Sequence, residues 1–185
     1  MKSRSPLLFL LLFSVSGACL PAGDTIKTKH AESGNRGLTV ISIFTVSPTA
    51  ISFSLSDPDA GPVAASSAVT INWTLVGVAL NGNWRIDVQA PSSTFPSCPR
   101  IPVSAIRVTC GSASISGLGL GGSATCAASS APLSTSPIAI ASGVERIGLS
   151  TTTVSLSFTI TDSWRYTAPE APACTFDLSY ILSVD

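Results

Sequence analysis

Apolar side chains recur at every second residue along most of this chain, the period of strands with one buried face. Val69, Ile71, Trp73 and Leu75 alternate with polar residues, and Trp84, Ile86, Val88 and Ala90 do the same shortly after. Asn81-Gly82 stands between the two runs, and both residues tolerate the positive φ of a two-residue type I′ turn. The pattern predicts a β-hairpin over Val69 to Ala90, with Trp73 facing Ala90, Leu75 facing Val88 and Ala79 facing Trp84. Every apolar residue of the pair then falls on one face.

The same reading continues along the chain. Leu38 to Val46 is β-branched and apolar, and its alternation slips at Val40-Ile41, which predicts a bulge or a strand buried on both faces. Ile51, Phe53 and Leu55 lead into the turn formers Asp57 to Gly61. Pro91, Pro96, Pro99 and Pro102 predict an irregular loop, because proline supplies no ladder donor. Ile106, Val108 and Cys110 resume the alternation. From Gly111 to Ser136, 20 of 26 residues are Gly, Ala, Ser or Thr; this stretch predicts short strands around a glycine-rich turn near Ser116 to Gly122. Ile138 and Ile140 suggest another short strand, and Val154, Leu156, Phe158 and Ile160 a stronger one. Cys174, Phe176, Leu178, Tyr180, Leu182 and Val184 form the longest alternation, which predicts a last strand at the centre of a sheet. No segment holds a period of 3.6 over three turns. The expected fold is all-β, an immunoglobulin-like or Greek-key sandwich of two sheets with about eight or nine short strands, a closed β-barrel being the alternative.

The start of the chain sets an address. Lys2 and Arg4 precede an uncharged apolar run, Pro6 to Val15, and then the small residues Ser16-Gly17-Ala18. This is the layout of a secretory signal peptide, too short to span a bilayer comfortably. Cleavage after Ala18 makes Cys19 the first mature residue. The arrangement resembles the bacterial lipobox, whose first mature residue is a lipid-bearing Cys, although Ser16 stands where that motif prefers a larger aliphatic residue. The resemblance implies membrane attachment through a lipidated Cys19; plain secretion is the alternative. Asp24 to Gly37 is polar, without apolar period, and holds Lys27, Lys29 and the chain's one histidine, His30. The organisation read from these signals is a signal peptide over 1–18, a flexible polar tether over 19–37 and one domain over 38–185.

Charge and cysteine usage narrow the chemistry. The 167 residues after Ala18 carry 8 basic and 10 acidic side chains, with no basic stripe of the kind that neutralises phosphates, so nucleic acid is excluded as a partner. Beyond Cys19, the even count Cys98, Cys110, Cys126 and Cys174 in an exported chain implies two disulfides. Cys110 and Cys126 are symmetric about Leu118 in the glycine-rich turn, which favours Cys110–Cys126 and leaves Cys98–Cys174.

Candidate sites are few. With His30 alone in the tether, a Ser-His-Asp or Cys-His centre has no base. Of the carboxylates in the domain (Asp57, Asp59, Asp87, Glu145, Asp162, Glu170, Asp177 and Asp185), most fall in turns or on the polar phase of strands. Asp87 and Asp177 alternate with core residues and are expected to point outward. Asp57 and Asp59, followed by Gly61, are oxygen ligands that calcium would accept, although an ordinary turn explains them as well. Asn72-Trp73-Thr74 is a glycosylation sequon. Trp164 and Tyr166 near a strand end are candidates for a carbohydrate platform or for closing the end of a sandwich. No cofactor is expected. The function expected is that of an exported, non-catalytic structural or adhesion component at the cell surface or elsewhere outside the cytoplasm, with a protein or glycan partner. Two alternatives stand beside it: a small-ligand or carbohydrate-binding module, and a fimbrial or coat-type subunit assembling by strand exchange. The chain looks like the pilin group in being exported, cysteine-bearing and ended by an alternating strand.

Overall fold

The computed structural model describes residues 18–21, 40–54, 61–77, 82–119, 121–127, 130–161, 174 and 176–184. Fourteen strands follow in chain order: β1 (Ala18–Pro21), β2 (Val40–Ser47), β3 (Ala50–Phe53), β4 (Val63–Ala64), β5 (Val69–Gly77), β6 (Gly82–Gln89) and β7 (Thr94–Phe95), then β8 (Cys98–Pro102), β9 (Ile106–Gly119), β10 (Ser123–Cys126), β11 (Ala131–Pro132), β12 (Ile138–Glu145), β13 (Gly148–Ile160) and β14 (Ser179–Val184). A 3-10 turn, Val103–Ala105, precedes β9. The number exceeds the eight or nine expected partly because β4, β7 and β11 are only two residues long.

All pairings are antiparallel. One sheet has the order β10-β12-β6-β14; the larger has β11-β9-β13-β5-β2, with β4 also on β13. The pairs β1-β3 and β7-β8 stand apart from both. The described strands do not close into a barrel, so the barrel alternative falls.

Among the described residues the strands of the predicted hairpin do not pair with each other, and its Ala79 and Asn81 lie outside those residues. β5 lies between β13 and β2, with Trp73 opposite Thr152 and Phe44. β6 lies in the other sheet between β12 and β14. The alternation itself holds: Val69, Ile71, Trp73, Leu75, Trp84, Ile86, Val88 and Ala90 are all buried. An inward phase requires only that each strand face the core, which two strands in opposite layers do as well as two neighbours. They meet across the core: the Trp73 and Trp84 rings are 5.0 Å apart at 75°, edge to face. Phe44 of β2 stacks near Trp73 at 6.4 Å. Gly143 on β12 makes room for Trp84, since a Cβ there would stand 2.5 Å from the indole ring and run into the Ser123 carbonyl oxygen. Fully burying side chains of this size contributes roughly 1.5–3 kcal/mol each.

Other details depart from the pattern. The slip in β2 is a real irregularity, with the register shifting between Ile41 and Ile43. Ser116 to Gly119, expected in a turn, extend β9 to 14 residues because β13 pairs with it along its whole length. The proline loop carries the small β7-β8 pair. The last strand is shorter than its alternation, and among the described residues it pairs with β6 alone, at a sheet edge rather than the centre. Burial across the core needs no second neighbour within the sheet, so Tyr180 and Leu182 are buried there all the same.

Cys98 joins Cys174 and Cys110 joins Cys126, with Cα separations of 5.6 and 5.5 Å. The partners agree with the sequence argument, but the route to the second pair does not. β9 and β10 are not a hairpin; they belong to different sheets, so Cys110–Cys126 fastens one layer to the other. Cys98–Cys174 ties β8 to the approach of β14, beside the edge-to-face pair Phe95 and Phe176 at 4.6 Å. The bridges close loops with sequence separations of 76 and 16 residues. The chain-entropy model assigns them about 4.5 and about 3 kcal/mol, respectively. Denaturant unfolding of Cys98→Ser/Cys174→Ser and of Cys110→Ser/Cys126→Ser therefore shows the larger loss for the first pair.

Candidate functional site

The two sheets part at one end to leave a cavity of about 210 Å³. Its lining comes from three places: Ile115 to Leu118 of β9, Gly121 and Gly122 before β10, and the run Glu145 to Ser150 that joins β12 to β13. Glycines bring the backbones together here. A Cβ on Gly117 would run into the Leu149 carbonyl oxygen, and one on Gly122 into that of Val144. Both positions therefore need hydrogen where other residues carry a side chain.

Glu145 is the chemical centre of this mouth. It is only 2% exposed, and Ser150 of β13 donates a hydrogen bond to its Oε1 at 2.6 Å. Oε2 is buried with no hydrogen-bond partner among the described residues. Burial pushes the Glu145 carboxyl above its ordinary range, and the Ser150 hydrogen bond opposes that shift in part. The sequence groups it with carboxylates that mostly fall in turns or on the polar phase of strands, and an unbroken phase from Ile138 and Ile140 turns position 145 outward. The register of β12 shifts between Ala139 and Ala141, however, and the bulge moves the inward phase to Ala141, Gly143 and Glu145. Ala141 and Glu145 are buried and Gly143 touches Trp84, as that phase requires.

The neighbourhood of the mouth is apolar and exposed. Leu118 is 82% exposed, Leu149 49%, and Ile147 and Val76 are also exposed. Val76, Leu149 and Leu118 are direct cross-strand partners on β5, β13 and β9, so they form one row on the outer face of the larger sheet. Three further rows continue that face over β2, β5, β13 and β9: Ile43-Thr74-Thr151-Ser116, Thr45-Asn72-Thr153-Ser114 and Ser47-Thr70-Ser155-Ser112. None of these positions holds an ionisable residue. The hydroxyls bond along the face, Thr74 with Thr151 at 3.2 Å and Thr153 donating to the Asn72 carboxamide at 2.7 Å. Asn72 of the sequon is thus on an outer face, with its oxygen engaged.

Asp87 departs from expectation in another way. It alternates with Ile86 and Val88 as expected, yet it is 2% exposed, and the largely exposed Arg85 binds its Oδ2 through Nε at 3.0 Å and Nη2 at 2.8 Å. A mid-sheet position on β6 between β12 and β14, with a guanidinium laid over it, buries a carboxylate that pattern alone places in water. Asp177 is exposed as expected. Cys19 lies on β1, opposite Ser52. Asp57, Asp59, Trp164 and Tyr166 fall outside the described residues, as do His30, Asp162, Glu170 and Asp185. Among the described residues no three His, Cys, Asp or Glu side chains gather into a metal-holding group.

A raised carboxyl pKa has a definite sign in stability. The unfolded chain releases the Glu145 proton near the ordinary carboxyl value of 4.5, the folded chain only at higher pH, so stability falls as pH rises through that interval. Glu145→Gln removes the penalty. Its melting temperature should exceed the parent's at neutral pH, with the difference closing below pH 4.5; an unchanged difference from acid to neutral pH would contradict this. In comparisons with family models, with characterised proteins and with solved structures, the chain matches none.

Proposed function

We propose that this is an exported, non-catalytic structural or adhesion component that works outside the cytoplasm through the outer face of its larger sheet. The observation that carries the reading is the part of that face over β2, β5, β13 and β9 described above: its four rows hold no ionisable residue, are clad in Thr, Ser and Asn, and end in the row Val76-Leu149-Leu118, with Arg107 lying beyond them toward the other end of β9. Ordinary surfaces intersperse charges of both signs for solubility. Uncharged rows whose polar side chains already bond along the face lose little on being dried against a partner surface. Two disulfides fit an oxidising, extracytoplasmic environment. Among the described residues no helix is long and apolar enough to cross a membrane. In this reading the signal peptide delivers the chain, Cys19 is the point of any lipid attachment, and the partner at the cell surface is a protein or a glycan.

The finer architecture we assign is the immunoglobulin-like Greek-key sandwich. Its support is the order β2-β5-β13-β9 in one layer and the pairing of β6 with β14 in the other, which correspond to the A-B-E-D and C-F neighbours of that fold. The same order favours one second reading, a fimbrial or coat-type subunit assembling by strand exchange. The last described strand, β14, has a single partner among the described residues, and an edge of that kind is where another chain adds a strand.

One experiment separates these readings. Mature protein carrying Cys19→Ser, so that no lipid holds it, is added back to the cells that export it, with and without Leu149→Lys and Thr151→Lys. Placing two charges in the dried face should lower retention by about tenfold or more, equivalent to ~1.4 kcal/mol, with the melting temperature little changed. Equal retention contradicts the adhesion reading. Light scattering of the same samples shows a monomer if it holds, and ladders of oligomers indifferent to both lysines if strand exchange is the function.

A further inference from the structure

The mouth between the sheets has a chemistry that a flat adhesion face does not use. Glu145 is part of its lining, with the carboxylate lying beneath the surface. Glu145 Oε2 is buried and without a partner among the described residues, and Ser150, having given its proton to Oε1, keeps oxygen lone pairs free to accept. The walls above are apolar or glycine, from Ile115, Gly117, Gly122 and Ile147. The other ionisable side chain in the lining is Arg146, which sits exposed at the rim.

We propose that this mouth is a binding site for a primary ammonium group on a short alkyl stem, with Glu145 as counter-ion at the inner end and a neutral or anionic group at the outer end of the stem. An ammonium offers three donors and no acceptor, which suits the Ser150 Oγ lone pairs and the unpartnered Glu145 Oε2, an atom just beneath the lining that a turn of the carboxylate brings to the cavity. The cavity, about 210 Å³, has room on the order of seven waters, enough for an amine of five or so carbons. A carboxylate held away from water attracts a cation far more strongly than an exposed guanidinium repels it, because the dielectric is low at one end and high at the other. Arg146 nevertheless sets a preference at the rim, favouring a carboxylate on the far end of the stem and disfavouring a second ammonium. Burial makes Glu145 hold its proton beyond its ordinary range, so binding strengthens as pH rises until the carboxyl is ionised.

The test is titration of the mature protein with four probes, followed by calorimetry and by the amide signals of Glu145 and Ser150. The probes are 6-aminohexanoate, n-pentylamine, 1,5-diaminopentane and hexanoate. Affinity is expected in that order, with hexanoate silent. Glu145→Gln should weaken 6-aminohexanoate at least about tenfold while leaving the Trp73 and Trp84 indole signals in place. Arg146→Ala should retain n-pentylamine and narrow the gap between the amino acid and the diamine. Should the glutamine variant fail to fold, the Glu145 carboxyl carbon of the parent decides: n-pentylamine must drive it to the ionised shift at a pH where the free protein holds the proton. Silence of Glu145 and Ser150 toward every probe overturns the proposal. So does hexanoate binding as well as 6-aminohexanoate, or equal binding by a folded Glu145→Gln.

Discussion

The edge-to-face contact of Trp73 on Trp84 is the point at which the two layers are keyed together. Each indole comes from the middle of its own sheet, so the contact fixes how far apart the layers stand and which residues meet between them. Its requirements spread outward. Trp84 fits only because Gly143 on the neighbouring strand has no side chain, and Gly143 faces inward only because β12 bulges between Ala139 and Ala141. The same bulge turns Glu145 inward two residues later. The most unusual group in the candidate site is thus a consequence of the packing that accommodates a tryptophan.

Disulfides then hold what packing has set. Cys110–Cys126 spans the layers on the β9-β10 side, and Cys98–Cys174 fastens the approach to the last strand. Between them the fold has little need of surface charge. Arg85 with Asp87 is the one ion pair among the described residues. Freed from that need, the outer face of the larger sheet carries hydroxyls in rows, and it is this composition rather than any catalytic group on which the functional proposal rests.

Much of the fold was legible because a period of two is a strong signal. Val69 to Leu75, Trp84 to Ala90 and Val154 to Ile160 are buried on the phase their spacing predicts. Neighbourhood was not legible. Two alternating runs on either side of Asn81-Gly82 satisfy the register arithmetic of a hairpin, yet nothing in that arithmetic excludes opposite layers, and that is where β5 and β6 lie. The disulfide partners came out correctly although the hairpin argument for Cys110 and Cys126 did not describe how they meet. The site was the least legible part. Glu145 lies in a stretch of small residues with no phase of its own, and a single bulged position reversed the side on which it falls. Asp87 was misplaced for a different reason, since its phase was right and its burial comes from the sheet centre and Arg85.

All of this depends on β5 and β6 facing each other from opposite sheets. Backbone nuclear Overhauser contacts from Trp73 read that directly. They should run to Thr152 on one side and Phe44 on the other, with the Trp73 and Trp84 rings in mutual contact. Backbone contacts from Trp73 to Ala90 and from Leu75 to Val88 would restore the hairpin and contradict the fold described here.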